Sequence, residues 1–139
     1  MKPRSRINKC GLAISAVLIL LNLACAMKHP ELKVGGLYSV DDGEGNYRVA
    51  KILALDDSAV HICLYKNKYR SRPATVEGSS LSLGTIHDKD GFGMGHLPLS
   101  RTAFANWQPV FLSQSSVTDE ELEGYKIWKE DQGGVFGSP

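Results

Sequence analysis

The chain has 139 residues, with 16 basic and 15 acidic side chains and a net charge of +1. This length allows one small domain with a modest hydrophobic core. The balanced charge argues against a nucleic-acid-binding protein, because such domains normally carry a clear excess of Lys and Arg. The first nine residues contain four basic side chains and no acidic one, and an almost wholly apolar run follows over residues 10–21. A basic start followed by a short apolar core is typical of a secretory signal peptide.

The residues that end this run, LNLACAMKHP, allow three outcomes. Ala24 and Ala26 place small side chains where a signal peptidase requires them, which predicts cleavage after Ala26. The stretch Leu23-Ala24-Cys25 resembles the signal of bacterial lipoproteins, and this resemblance implies lipidation of Cys25. The third outcome is an uncleaved anchor, since residues 10–27 are just long enough to span a bilayer.

All three outcomes predict export to the periplasm or cell envelope, either free or held at the membrane through Cys25 or residues 10–27. Without residues 1–26, the chain keeps 12 basic and 15 acidic side chains, a net charge of −3. Cys63 is then the only cysteine, which excludes an intramolecular disulfide and a multi-cysteine zinc site. We expect a signal peptide or anchor, a tether, one globular domain and a disordered tail, with the bounds 1–26, 27–36, 37–132 and 133–139.

From Leu37 onward the sequence has the pattern of β-strands. The runs NYRVAKILAL and SAVHICLYK stand on either side of a polar turn, which predicts a β-hairpin. Pairing Leu55 with Ser58 sets its register, and the further pairs are Leu53–Val60, Lys51–Ile62 and Val49–Leu64. One face of the hairpin is then apolar apart from Lys51. The opposite face is too apolar to be fully exposed, so we expect another element to cover part of it. It holds Ala50, Ile52, Ala54, His61, Cys63 and Tyr65.

The second half of the chain predicts two helices and less regular structure between them. LSLGTI predicts a short strand and HDKDGFGMGHLP a loop. Ser100 can cap a short helix that ends at Trp107. Thr118 and Glu121 form the pattern of a capping box, which predicts a helix up to about Asp131. Its predicted buried face consists of Leu122, Tyr125 and Trp128. This helix is a candidate for the element that covers the hairpin.

The stretch VGGLYSVDDGEGNYRVAKILALDDSAVHICLY resembles the opening strands of a Tudor-like, SH3-type small barrel. The shared features are a Gly-rich entry, an acidic turn, a long strand and a returning hairpin. The resemblance covers about residues 34–65 and implies a compact binding fold. The expected fold class is therefore α+β, mainly β: a small SH3-like barrel or a curled antiparallel sheet, with a C-terminal α-helix packed on it.

A basic strip is the first candidate binding site. Lys66, Lys68, Arg70 and Arg72 alternate along KNKYRSR, so an extended backbone would point all four the same way. Such a strip would bind phosphate headgroups, lipopolysaccharide or an acidic partner. The alternative is an edge strand whose charges prevent pairing with other chains.

A polar loop is the second candidate site. His87, Asp88, Asp90 and His96 are metal-ligand types within ten residues. They do not match a calcium-binding EF-hand loop, because Phe92 stands at a ligand position. The loop could bind a metal, or it could simply be solvated.

No catalytic residues are predicted. His61 and Cys63 share a strand face, but positions two apart on a strand lie about 6.6 Å apart, which is too far for an easy hydrogen bond. The sequence also lacks the serine-nucleophile and zinc-protease motifs.

The resulting hypothesis is an exported bacterial envelope protein with a non-enzymatic binding domain. It would need no cofactor and would bind an anionic envelope component or a protein partner, but no nucleic acid. The alternatives are a small metal-dependent hydrolase that uses residues 87–96 and a structural accessory subunit of an envelope complex.

Overall fold

In the computed structural model of the protein, residues 31–138 are described. The predicted cleavage site after Ala26, the lipidation site Cys25 and the anchor over residues 10–27 lie outside these residues. Between residues 31 and 138, no helix is both long and apolar enough to cross a membrane.

The described residues form one five-stranded antiparallel sheet and two short α-helices, so the predicted class, α+β and mainly β, is confirmed. Neighbouring strands follow the order β4-β3-β2-β1-β5, and the sheet is not closed into a barrel. The elements are β1 (Gly36–Asp41), β2 (Tyr47–Leu55), β3 (Ala59–Leu64), β4 (Met94–Ser100), α1 (Arg101–Asn106), β5 (Val110–Gln114) and α2 (Glu123–Glu130).

The strand register shifts in three of the four strand pairs, at β1–β5, β2–β3 and β3–β4. Such irregularities bend a strand and increase its twist. The two faces of the sheet pack against different parts of the chain. One carries the main apolar core, which is formed by Tyr38, Val40, Ala50, Ile52, Val60, Ile62, Leu64, Leu99 and Phe104.

The predicted hairpin exists, but its predicted register is wrong. Ile52 lies opposite Ile62 and Lys51 lies opposite Cys63, one residue away from the expected pairing. A shift of one residue moves every side chain of a strand to the other face relative to its partner. Lys51 therefore does not interrupt the main core but shares the second face with Cys63. The extra residue is accommodated by the shift between Ile52 and Ala54.

The loop between residues 65 and 93 differs from the prediction. LSLGTI forms no strand, and the strand that follows, β4, lies in the region predicted to be a loop. Gly95 and Pro98 obscure this strand in the sequence, because both residues are uncommon in strand interiors. Pro98 is tolerated since β4 is an edge strand, and its carbonyl accepts a hydrogen bond from the Phe136 N–H at 2.9 Å.

The ends of the described domain are more ordered than the sequence predicts. Within the predicted tether, the Lys33 N–H donates to the Tyr38 hydroxyl, which donates in turn to the Glu31 carbonyl. Within the predicted disordered tail, Phe136 forms a parallel bridge with Leu99, so the tail covers the outer edge of β4.

Both predicted helices are present. The Ser100 side chain caps α1 by accepting from the Ala103 N–H. The capping box forms as well, with the Thr118 N–H donating to Glu121 at 2.8 Å and the Glu121 N–H donating to the Thr118 hydroxyl at 3.3 Å. Turns follow this box and α2 proper begins at Glu123, so the helix is shorter than predicted.

Candidate functional site: a buried Asp-His-His cluster

Three polar side chains lie in a row beneath α2, and we call them the Asp-His-His cluster: Asp56, His61 and His96. The Nε2 atom of His61 is 2.9 Å from the Asp56 Oδ2 atom, and its Nδ1 atom is 3.0 Å from the His96 Nε2 atom. His61 is fully buried and His96 is half-buried. Both nitrogens of the buried ring are thus hydrogen-bonded, as buried polar groups generally are.

The backbone around the turn fixes Asp56. Its Oδ1 atom accepts from the N–H groups of Ser58 and Ala59 and from the Ser58 hydroxyl, and its Oδ2 atom remains for His61. Short polar side chains commonly bond the backbone two residues further on in this way. The turn that reverses the chain therefore also aims the carboxylate at the imidazole.

The hydrogen-bond partners determine which ring nitrogens carry protons. A carboxylate can only accept, so His61 donates through Nε2 and, when neutral, presents a bare Nδ1 atom. The Nε2 atom of His96 must then donate to it. In the neutral state, this leaves a lone pair on the Nδ1 atom of His96. The cluster is therefore a directional row of hydrogen bonds that ends at His96.

Burial and hydrogen bonding shift two pKa values in the cluster. Burial alone would raise the pKa of Asp56, but the hydrogen bonds from His61, Ala59 and Ser58 outweigh it and lower the pKa to about 2. Burial, and then the proximity of His61, lower the pKa of His96. At neutral pH, Asp56 is thus charged while His96 is neutral.

Helix α2 covers the cluster with two aromatic side chains. The ring centroids of Tyr125 and Trp128 lie 4.6 and 4.4 Å from that of His61, both in edge-to-face geometry. Gly124 permits this close approach, because a Cβ atom there would lie 2.6 Å from the Cβ atom of His96. The inferred cover of the second face is therefore α2, and its predicted residues Tyr125 and Trp128 make the contact.

An ion pair fixes the start of the same segment. The Nζ atom of Lys51 lies 2.7 Å from the Glu121 Oε1 atom, with only 7% of the Lys51 side chain exposed. Beside it, burial and then the Glu121 charge raise the pKa of the Cys63 thiol to about 11. A thiol in this state is a poor nucleophile at neutral pH.

The cluster could relay a proton along its two hydrogen bonds. A nucleophilic triad requires a hydroxyl or thiol bonded to the terminal base. Within residues 31–138, His96 is hydrogen-bonded only to His61. Cys63 is a free, buried thiol.

The predicted basic strip does not lie along a strand. Lys66 binds Asp88 at 2.7 Å and lies 3.6 Å from Asp90. Arg72 donates to the Ser39 carbonyl and hydroxyl and stacks over the Tyr47 ring. These two cations hold the loop to the sheet. Lys68, 3.7 Å from Glu44, and Arg70 are the exposed members of the set.

The four predicted metal ligands are not brought together. Asp88 and Asp90 pair with Lys66, His87 is exposed, and His96 belongs to the Asp-His-His cluster. In the described part of the chain, no group of three or more His, Cys, Asp or Glu side chains is placed to hold a metal ion. Spacing along a loop does not determine where the side chains point, which is why the four residues have separate partners here.

Sequence reasoning missed the cluster because Asp56 looked like an ordinary turn residue. An Asp at the start of a turn five residues before a strand His is a weak signal on its own. The partner His96 lies in β4, which the sequence did not predict. Asp56 and His96 are brought to His61 only when the strands pair.

Comparisons with known proteins return nothing for this chain: no family model, curated protein or solved structure matches it.

Proposed function

We propose that this protein is an exported bacterial envelope protein whose folded part is a non-enzymatic binding domain. The N-terminal pattern supports export, since a basic start and an apolar core precede small residues at Ala24 and Ala26. The domain would act in the periplasm or at a membrane surface, free or tethered near Cys25. An accessory role in an envelope complex is the same proposal with one stable protein partner.

We also propose that the curled sheet is a member of the SH3-type small barrels. Strands β1 to β4 follow one another across the sheet, and β5 returns to pair with β1. The three register shifts support this proposal, because bulges are the usual device for curling a sheet towards closure. The fold would then supply a rigid scaffold for binding loops.

The observation that carries the binding proposal is an exposed apolar surface on the loop before β4. We call it the apolar loop surface, and it comprises Leu83, Ile86, Phe92 and Met94, which are 39, 76, 50 and 46% exposed. Large exposed apolar side chains that cluster together commonly mark interaction sites. Here four of them fall within 12 residues of one loop and strand start.

This loop is held in place rather than loosely attached. The Lys66 N–H donates to the Ser82 carbonyl, the Gly93 N–H donates to the Leu83 carbonyl, and the Arg48 guanidinium donates to the Phe92 carbonyl. A preorganised loop loses less conformational entropy when it binds. The fixed backbone therefore favours a recognition surface over a solvated linker.

Cations border the apolar loop surface. A shallow cavity of about 300 Å³ is lined by Lys66, Asn67, Lys68, Tyr69 and Asp90. Lys66 is half-buried and paired with acids, whereas Arg70 is exposed and Lys68 has only an exposed 3.7 Å contact with Glu44, so Lys68 and Arg70 can reach a partner. A partner with an apolar segment flanked by acidic or phosphate groups fits this combination.

A site-specific photo-crosslinker placed at Phe92 in cells tests the proposal. We expect one dominant crosslinked partner from Phe92 and none from Ile127, which is more exposed than Phe92 but lies on α2. Changing Ile86 to Ser should abolish the product formed from Phe92. Changing both Lys68 and Arg70 to Ser should weaken it about 30-fold at low salt, since each cation contributes about 1 kcal/mol near an anionic surface and about 1.4 kcal/mol is tenfold.

Equal crosslinking from Phe92 and Ile127, or none from Phe92, would refute the binding surface. Lys66 and Arg72 are unsuitable for this test because their substitution would release the loop from the sheet.

A further inference from the structure

The surroundings of His61 combine two titratable rings with a lightly attached helix. The ring faces Asp56 from the turn, His96 from β4 and Tyr125 from α2. Charged groups on the surrounding elements are Arg101, which donates to the Asp56 carbonyl, Lys129, which lies over the Tyr125 ring, and the Lys51–Glu121 pair. No residue of α2 itself is fully buried. Detaching this helix therefore costs less than opening a core strand such as β3, in which all six residues are buried.

Protonation of His96 and of His61 would affect the Asp-His-His cluster in different ways. One proton added to His96 leaves its Nε2–H bond to His61 intact, but it places a positive charge beside the Tyr125 ring, whose centroid lies 6.4 Å from that of His96. A second proton, on His61, sets two N–H donors against each other across the 3.0 Å contact. The hydrogen bond is then lost. Protonation of His96 is opposed while α2 keeps water away from its ring, because burial lowers the pKa of His96.

The geometry points to a pH-operated latch: we propose that the Asp-His-His cluster holds α2 on the sheet when both imidazoles are neutral and releases it when they take up protons. Release would expose Trp128, Tyr125 and the underlying face of β3 and β4. The rest of the sheet would persist, because its main core lies on the opposite face. This property is independent of the apolar loop surface.

Linkage fixes the direction of the effect. Because the pKa of His96 is lowered in the folded state, α2 docking is fully favoured above the ordinary histidine pKa. It weakens as the pH falls below about 6.5. Asp56 stays ionised throughout this range, since its pKa is about 2. Asp56 therefore does not contribute to a transition between neutral pH and about pH 5.

The test is nuclear magnetic resonance of the full-length chain in a mild detergent, with the tryptophan indoles labelled. The chain has two tryptophans, and the Trp128 indole donates to the Gly134 carbonyl in the docked state. We expect the Trp128 signal to shift between about pH 7.5 and about pH 5, while the Trp107 signal and the amides of β1 and β2 stay in place. His96→Gln should abolish the shift, because the amide cannot be protonated and can either donate to neutral His61 or accept from its protonated ring.

His87→Gln is the matched control and should leave the shift unchanged, because His87 is exposed and outside the cluster. The latch is refuted if Trp128 does not move, if His96→Gln leaves its transition intact, or if all signals collapse together.

If His96→Gln does not fold, the unmodified chain still decides the matter through the nitrogen shifts of its imidazoles. Protonation of His96 over the same pH range as the Trp128 transition, with His61 as the Nε2–H tautomer at pH 8, supports the latch. An Nδ1–H tautomer of His61, or a titration of His96 that leaves Trp128 unmoved, overturns it.

Discussion

At the scale of single residues, charge burial dominates the second face of the sheet. Lys51 is almost completely buried, and its ammonium group is bonded to both carboxylate oxygens of Glu121 at 2.7 and 2.9 Å. Removing one partner of a buried ion pair leaves the other charge uncompensated in a poorly solvated site. The two halves of this pair are therefore not equivalent to mutation, because Glu121 keeps 26% of its side chain exposed.

We expect Glu121→Ala to lower the free energy of unfolding by about 3 kcal/mol, because it strands the Lys51 ammonium and removes half of the capping box. Lys51→Met, which replaces the buried charge with an apolar side chain, should cost less than about 1 kcal/mol. Urea unfolding measures both. The neighbouring, exposed Glu120 provides the control through Glu120→Ala. A larger loss from Lys51→Met than from Glu121→Ala would contradict this assignment.

At the scale of the elements, caps and turns were predictable while the strand pairing was not. Ser100 caps α1, and Thr118 forms the capping box that precedes α2. Both were predictable, since capping depends on residues three positions apart. The prediction of the hairpin register was wrong because a register shift near Ala54 adds a residue that no local sequence pattern indicates. Strand β4 was not predicted because its Gly and Pro residues are tolerated only in an edge strand, and edge position is a property of the assembled sheet.

The same scale explains how closely α2 can approach the sheet. We expect Gly124→Ala to destabilise the protein by about 1–2 kcal/mol, although Ala forms helices more readily than Gly. The added methyl would lie 2.6 Å from the Cβ atom of His96, which cannot yield because it belongs to β4. Thermal or urea unfolding checks this expectation.

Gly134→Ala is the control for this substitution, because its Cβ atom would meet no other atom within 4 Å. An increase in stability for Gly124→Ala would mean that α2 sits farther from β4 than described.

At the scale of the whole molecule, acid stability follows from the carboxylates that the fold bonds. The pKa of Asp56 is lowered from 3.8 to about 2, so its contribution to stability is full above pH 3.8 and lost as the pH falls to about 2. Asp56→Asn keeps the acceptor oxygen but cannot titrate. We expect its free energy of unfolding to vary less with pH across this interval than that of the unmodified protein.

Urea titrations at a series of pH values measure this difference. The exposed neighbour gives the control, because Asp57→Asn should leave the pH profile unchanged. An identical profile for Asp56→Asn and the unmodified protein would show that Asp56 is not bonded to His61 in solution.

The general class of the molecule was predictable from the sequence, but its candidate site was not. Alternating apolar residues and helix caps act locally, and they indicated α+β with a C-terminal helix on the sheet. The Asp-His-His cluster joins a turn, β3 and β4, so it exists only after these strands pair. The four predicted metal ligands are kept apart for the same reason, since Asp88 pairs with Lys66 and His96 is hydrogen-bonded to His61.

The pairing of β1 with β5 has a kinetic consequence. Ser115 and Gln114 bond to carbonyls of Gly35 and Val34, which precede them by 80 residues. Closing so long a loop is entropically costly and usually slows folding to milliseconds or seconds. The sheet is complete only when β5, late in the chain, has paired with β1. Slow completion of this kind leaves a newly made chain unfolded for longer, which is the state in which a chain can be threaded through a translocation channel.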